Sequence, residues 1–469
     1  MCQPALEKDA GFENYNMKIL VTNGTIITST DKYKSDILII DGRINRIEFK
    51  IKTHDSDKVI DARGCYIFPG GIDPHVHMHL PTVAGYSSDD FLTGSKAALY
   101  GGTTTLLDFV TPKKGQSLTD ALRQRKEEAK NSLTDFSFHV SPVEWRNTTE
   151  QEIKDCIREG VTSFKVYMAY KDTIGLNDSD LLKVMKAVGK AGGMVTVHCE
   201  SGDEIEILRN KFFEEYHIGP KYHPLSRPAE LEAGAVKKAI DMANQANCPL
   251  YIVHVSVKES LKLIKEAKDR GQKVFAETCP QYLLLEDSKY EGDFTRTAPY
   301  IMSPPLRKKE DNDSLWDAIS NGIVDTVGTD HCPFNMVQKE AGLNDFRKIP
   351  NGAGGIEHRL ELLYTYGVLE DRITLNQMVD LYSAQPAKIF GLHPSKGDII
   401  VGSDADLVIW NPDSENTISA KTHHQNCDIN IFEGIKTRGI AEYVIAGGKL
   451  VIENGNMIDS ETRGKFLKR

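Results

Sequence analysis

The sequence predicts an α/β chain built on a (β/α)8 barrel of the TIM type, with a small β-sandwich formed by its N- and C-terminal segments. Three observations predict it. Between about residues 70 and 394, eight short apolar runs alternate with amphipathic stretches. Both ends carry β-rich segments broken by turn signals instead. Several of the apolar runs close on a polar residue able to bind metal.

In chain order, residues 1–16, MCQPALEKDAGFENYN, are polar and acidic and lack the apolar stretch of a secretory signal, so they read as a disordered leader. Residues 17–69 read as the first part of the sandwich. KILVTNGTII, SDILIIDGRINRIE and KVIDARGCYIF show no helical period, and NGT and DGR between β-rich segments argue for hairpins. The barrel spans 70–394. Its runs are IDPHVHM, TTTLLDFV, DFSFHVS, SFKVYMAY, MVTVHCE, LYIVHVS, KVFAETC and VDTVGTD. Such continuous apolar runs suit parallel strands buried on both faces. Between most of them lie stretches such as LTDALRQRKEEAKN, DLLKVMKAVGKAG and VKESLKLIKEAKDRG, with helical i, i+3, i+4 apolar spacing, several ending in the glycine of a helix C-cap. Eight strand–helix units in order predict the barrel. Residues 395–469 return to β character in GDIIVGSDADLVIWNPD and AEYVIAGGKLVIENGNMI, and read as the second part of the sandwich. A barrel takes about 250 residues, so the 469 residues (52.3 kDa) leave room for that second module.

Composition narrows the function classes. An apolar fraction of 40% and a charged fraction of 26% are those of a globular protein. A net charge of −10 without any basic block argues against nucleic acid and anionic membrane as partners. No apolar run approaches the roughly 20 residues of a membrane span. The eight cysteines form no CxxC pair and read as buried free thiols in a reducing cytosol, hence a cytoplasmic protein.

His75 and His77 are two residues apart in GGIDPHVHM. In a strand that spacing puts both side chains on one face, and at the C-terminal end of a barrel strand that face is the mouth, where active sites lie. Two imidazoles there can hold a divalent ion; a hydrogen-bonded histidine pair is the plainer reading of the motif alone. His79 continues the alternation but lies past the strand end, outside the expected ligand set. His198, in MVTVHCE, and His254, in LYIVHVS, each sit in a separate run. A single strand histidine is usually structural, but two in successive strands of such a chain point to a second metal. Asp330 follows VDTVGT with no cationic partner nearby in sequence. A buried unpaired carboxylate is costly, so a metal is its natural partner, with solvent exposure as the alternative. Lys165 lies inside SFKVYM. Buried and charged it would cost several kcal/mol, and burial favours the free amine. A free amine can react with CO2 to form a carbamate, an anionic ligand able to bridge two metals. Snorkelling to the surface is the equal alternative.

From Met17 to the C-terminus, the chain resembles the cyclic amidohydrolases of the dihydropyrimidinase/hydantoinase family. The resemblance is carried by FPGGIDPHVHM, SSDDFLTGSKAALYGGTTTLLDF, SFKVYMAYK, HCE, PLYIVHVS, ETCPQYL, MSPPLR, GTDHCPF, KIPNGAGGIEHR and GSDADLVIW. It implies a hydrolase of cyclic C–N bonds that opens 5,6-dihydropyrimidines or 5-substituted hydantoins to N-carbamoyl amino acids. It implies two Zn²⁺ per subunit, one held by His75, His77 and Asp330, the other by His198 and His254, with N6-carboxylated Lys165 as the bridge; Mn²⁺ or Co²⁺ also suit these donors. It implies that Asp330 moves the proton and that Tyr170, five residues after Lys165, stabilises the oxyanion. Tyr170 and the main chain of Ser303 (MSPPLR) and Asn351 (IPNG) would then contact substrate. Read alone, Tyr170 suits packing at a helix start, and SPP and PNG suit ordinary turns. Family habit implies a homo-oligomer, a tetramer or dimer.

Loop 80–87, LPTVAGYS, varies within the family and leaves the substrate side chain open. The sequence ends at GKFLKR, without the longer tail that some relatives use at subunit contacts. The nearest rival activities are allantoinase and dihydroorotase. Dihydroorotase-like chains follow HxH with an Arg, absent among Met78, His79, Leu80 and Pro81, and allantoinase-like chains tend to lack the Tyr170 equivalent. A non-catalytic cytoskeletal scaffold of this family would have lost metal ligands, and all six are present.

Overall fold

The structure is a computed structural model. It describes residues 17–469 apart from Thr462; the predicted leader, with Cys2 inside it, lies outside the described residues. The eight apolar runs all become strands of one parallel sheet, neighbours pairing in sequence order. They are β1 (Gly71–Val76), β2 (Thr103–Val110), β3 (Asp135–Val140), β4 (Ser163–Tyr167), β5 (Met194–His198), β6 (Leu250–Ile252), β7 (Val274–Thr278) and β8 (Thr326–Val327). A parallel bridge between Val76 and His331 brings the chain after β8 back against β1, with His77 N donating to His331 O at 2.8 Å. Every residue of β1, β2, β4, β5 and β6 is buried, which is why these strands read as unbroken apolar runs.

Helices return the chain between strands where the apolar period predicts them, for example Leu118–Glu128, Asp178–Lys190 and Lys258–Asp269. The first two are capped by Ser117 and Asn177, whose side chains accept from Asp120 N and Asp180 N. Arg359, 1% exposed, links the last barrel strand to the first two by donating to Ile72 O, Val327 O and Thr103 Oγ1.

The two chain ends meet in one β module. A four-stranded sheet comes from the N-terminal segment alone, in the order Arg43–Glu48, Asp36–Ile40, Ile19–Thr22, Lys58–Asp61. A seven-stranded sheet mixes both ends, joined where Leu407–Thr417 pairs antiparallel with Tyr66–Pro69. Ile19, Val21, Ile37 and Ile39 pack with Leu407, Ile409 and Ile445 in a core separate from that of the barrel. At the seam, Lys396 Nζ lies 2.5, 2.6 and 3.1 Å from carboxylate oxygens of Asp135, Asp406 and Asp404. The final residues run along β3, with Leu467 N donating to Phe136 O at 2.7 Å.

The seven described cysteines are free; six are buried and Cys427 is half-buried. No helix among the described residues is long and apolar enough to cross a membrane.

Candidate active site

Apart from Lys165, the predicted metal ligands emerge at or just beyond the C-terminal ends of the barrel strands. His75 lies in β1 and His77 one residue beyond it; Lys165 is the middle residue of β4 and His198 the last of β5. His254 and Asp330 follow β6 and β8 within three residues, and Tyr170 follows β4 at the same distance. Three of them hold left-handed backbone: Tyr170 at φ 59°, His254 at 41° and Asp330 at 52°. Such conformations cost about 1–3 kcal/mol each for a residue with a side chain and concentrate at functional sites.

Asp330 Oδ1 lies 3.1 Å from Nε2 of both His75 and His77, and those two nitrogens are 3.3 Å apart. Candidate ligand atoms of the three residues all fall within 4.8 Å of one another. Glu277 Oε1, 2.6 Å from His75 Nδ1, accepts that N–H and so directs Nε2 toward His77 and Asp330. The second pair repeats the arrangement. His198 Nδ1 faces His254 Nε2 at 2.8 Å, while Glu200 holds His198 Nε2 at 2.8 Å. The ring centroids of His75 and His254 are 5.5 Å apart, which joins the pairs into one cluster. Imidazole nitrogens and a carboxylate oxygen brought together in one buried site form a nitrogen–oxygen donor set that suits zinc and its neighbours. The residues therefore fit a metal.

Electrostatics follow burial. Burial lowers the pKa of His77 to about 4 and that of His254 well below the usual histidine value. At His75 the same burial is outweighed by Glu277 and Asp330, which lift it to about 9. Burial would raise Asp330, but His75 and His77 hold its carboxyl well below the usual carboxylate range. Lys165 is 1% exposed, so it does not snorkel. Its Nζ lies 4.7 and 5.0 Å from the ring centroids of Phe109 and Tyr167. Burial lowers its pKa to about 8 against the opposing pull of Asp330 and Glu277.

Sequence reasoning missed the residues that hold this cluster in place. Glu277, fully buried, accepts from His254 N at 3.1 Å and Tyr251 Oη at 2.8 Å as well as from His75. Phe109 stacks on the His77 ring at 4.6 Å. Asp108 accepts from Met78 N at 2.7 Å and pairs with Arg125, which also donates to Met78 O, so the turn after His77 is fixed at both ends of one residue. Arg227 pairs with Glu200 at 2.5 Å and stands 5.7 Å from the Tyr170 ring. Glu277 and Asp108 carried a signal, an acidic residue within an apolar run; the two arginines carried none.

Tyr170 has its ring 5.5 Å from that of His198. Ser303 is buried, and no hydrogen bond among the described residues uses the main chain of Ser303 or Asn351. His79 stacks on Tyr86 at 3.9 Å.

The chain matches the model of the Amidohydrolase family over residues 66–451. It is 44% identical to the D-hydantoinase of Geobacillus stearothermophilus over 97% of each chain. It is 38% identical to a dihydropyrimidinase of Arabidopsis thaliana, covering 96% of this chain and 85% of that one. The crystal structure of dihydropyrimidinase from Brevibacillus agri superposes with a TM-score of 0.95 at 42% identity, over 97% of this chain and 99% of that one. With its barrel, its His–His–Asp cluster and these full-length likenesses, the chain belongs to the amidohydrolase family, in its hydantoinase and dihydropyrimidinase group.

Proposed function

We propose that this enzyme opens 5,6-dihydropyrimidine or 5-substituted hydantoin rings to N-carbamoyl amino acids, using two divalent cations held by His75, His77, Asp330, His198 and His254 and bridged by carboxylated Lys165. The observation that carries the reading is the convergence of four histidines, Asp330 and a buried lysine at the mouth of the barrel, in a chain 44% identical to a D-hydantoinase. Zinc suits the donors best, and Mn²⁺ or Co²⁺ would also serve. The uncharged Lys165 amine adds CO2, forming an N–C bond and releasing a proton, and the resulting carbamate puts an anion where the neutral amine stood.

When bound, the two cations acidify a water molecule and polarise the scissile carbonyl. Asp330 would take a proton from the water and deliver it to the ring nitrogen as the C–N bond breaks. Hydroxyl ends on the carbonyl carbon and hydrogen on the nitrogen. Tyr170 Oη donates to the carbonyl oxygen as it gains charge. The main-chain groups of buried Ser303 and half-buried Asn351 form no hydrogen bond among the described residues, which leaves them as the natural partners of the ureide edge. Allantoinase activity is not favoured, since relatives at 38–44% identity are named hydantoinases and dihydropyrimidinases. The division into a hydrolase barrel (70–394) and a two-part sandwich (17–69 and 395–469) belongs to the same proposal. So does a cytoplasmic homotetramer or homodimer, which rests on the family resemblance and the free cysteines.

A substrate panel tests it. Dihydrouracil and hydantoin should lose ring absorbance faster than allantoin and dihydroorotate; the reverse order would overturn the substrate class. Enzyme purified with zinc and bicarbonate should carry about two metals per chain, the number a bridged pair requires, and none at all would overturn the mechanism.

A further inference from the structure

The short helix Met336–Lys339 ends in a lysine that is 1% exposed. Its Nζ donates to three main-chain carbonyls, Ile301 O at 3.0 Å, Pro350 O at 2.7 Å and Gly352 O at 2.8 Å. An ammonium group has three N–H donors, and all three are used. Among the described residues no carboxylate faces it: the other groups around it are the thiols of Cys332 and Cys427 and the Phe334 ring at 5.5 Å. Burial without a counter-ion pulls its pKa down to about 7, against which the three carbonyl acceptors favour the charged form, so stability alone does not account for a lysine here.

The three acceptors flank the proposed substrate contacts. Pro350 and Gly352 stand on either side of Asn351, and Ile301 precedes Ser303 by two residues. Gly352 N also donates to Ile301 O at 3.0 Å, so the two segments are stitched side by side. Neither 301–303 nor 350–352 lies in a helix or strand, so no regular hydrogen-bond ladder fixes them. On the same helix, Gln338 Nε2 donates to Ala84 O at 3.2 Å and Tyr86 O at 2.8 Å, which ties it to loop 80–87.

We infer that Lys339 is a positioning residue for substrate binding: through three carbonyls it sets the spacing and direction of the Ser303 and Asn351 main chains that receive the ureide edge. This rests on the reading of those two residues as substrate contacts. Interactions made equally in the ground and transition states appear in KM and not in kcat.

Lys339→Met, which keeps the stem and removes the donors, tests the inference in the zinc- and bicarbonate-loaded enzyme. KM for hydantoin and dihydrouracil should rise about tenfold or more, the size of one lost charge-assisted hydrogen bond, with kcat within about threefold and metal content unchanged. Hydrogen exchange should speed up in peptides covering 301–303 and 350–352 and stay unchanged in β5. Unchanged KM, or loss of metal and kcat in its place, would overturn the inference. If the wild type opens neither ring, the functional reading fails and the exchange data judge Lys339 on their own: unchanged exchange in both segments rejects it. Should the methionine variant not fold, Lys339→Arg keeps the charge but cannot aim three donors from one atom, and an unchanged KM there rejects the inference as well.

Discussion

Two buried lysines in two regions of the molecule show how surroundings set the chemistry of one residue type. At the seam between barrel and sandwich, the Lys396 side chain is 2% exposed and lies among Asp135, Asp404 and Asp406. At the barrel mouth Lys165 is equally buried, but its Nζ faces the rings of Phe109 and Tyr167. Burial pushes both toward the neutral amine. The seam carboxylates outweigh it and hold Lys396 charged well above the ordinary lysine range, whereas at the mouth burial prevails and Lys165 falls to about 8. The seam lysine is a staple; the mouth lysine is an amine available for reaction.

The largest expected effect tests the mouth. Lys165→Ala should lose ring-opening activity by on the order of a thousandfold or more, the several kcal/mol that metal-assisted charge stabilisation supplies. Metal should be lost with it, and a short carboxylic acid in place of the carbamate should restore part of both. A fully active variant would erase the contrast. Next comes the seam. Lys396→Met leaves three acidic side chains without their cation, and breaking a buried pair in this way costs about 3–5 kcal/mol. The urea midpoint should fall by that equivalent while activity per folded molecule is kept. Lys165→Met in metal-free protein should be neutral or stabilising, and equal losses at the two sites would break the comparison.

The contrast also marks what could be read from sequence. All eight barrel strands were legible because a strand buried on both faces needs an unbroken apolar run, and the ligand candidates were legible because each interrupts or closes such a run. The sequence left Lys165 balanced between burial and snorkelling, since a run does not show which way its odd residue turns. Lys396 gave no signal: in HPSKGDII it looks like any turn lysine, and Asp135 is 261 positions away. Glu277 carries the mark of an acid within an apolar run, KVFAETC, but nothing local ties it to His75, 202 positions earlier. Pairings of that kind are set by barrel closure, which no local pattern encodes.

A smaller effect is expected at that partner. Glu277→Gln keeps the shape but weakens the acceptor that orients His75, and loss of such support typically costs 10–100-fold in metal affinity or activity. Metal titration of the variant checks it. Unchanged affinity would mean that the tautomer of His75 is fixed without Glu277.

The smallest effect separates the two lysines by pH in metal-free, bicarbonate-free protein. Lys165 has a folded pKa of about 8, below the roughly 10.4 of an unfolded chain. Between those values the unfolded chain binds more protons, so the penalty for burying this lysine fades as pH rises through the window. Lys396 is shifted the other way, so its contribution is complete below about pH 10.4 and is lost only as pH climbs through its raised folded value. Urea midpoints of wild type and Lys165→Met should therefore converge from about pH 8 to about pH 10, while the gap between wild type and Lys396→Met stays constant over the same range. A constant gap for Lys165→Met would mean that the amine at the mouth is as well compensated as the one at the seam.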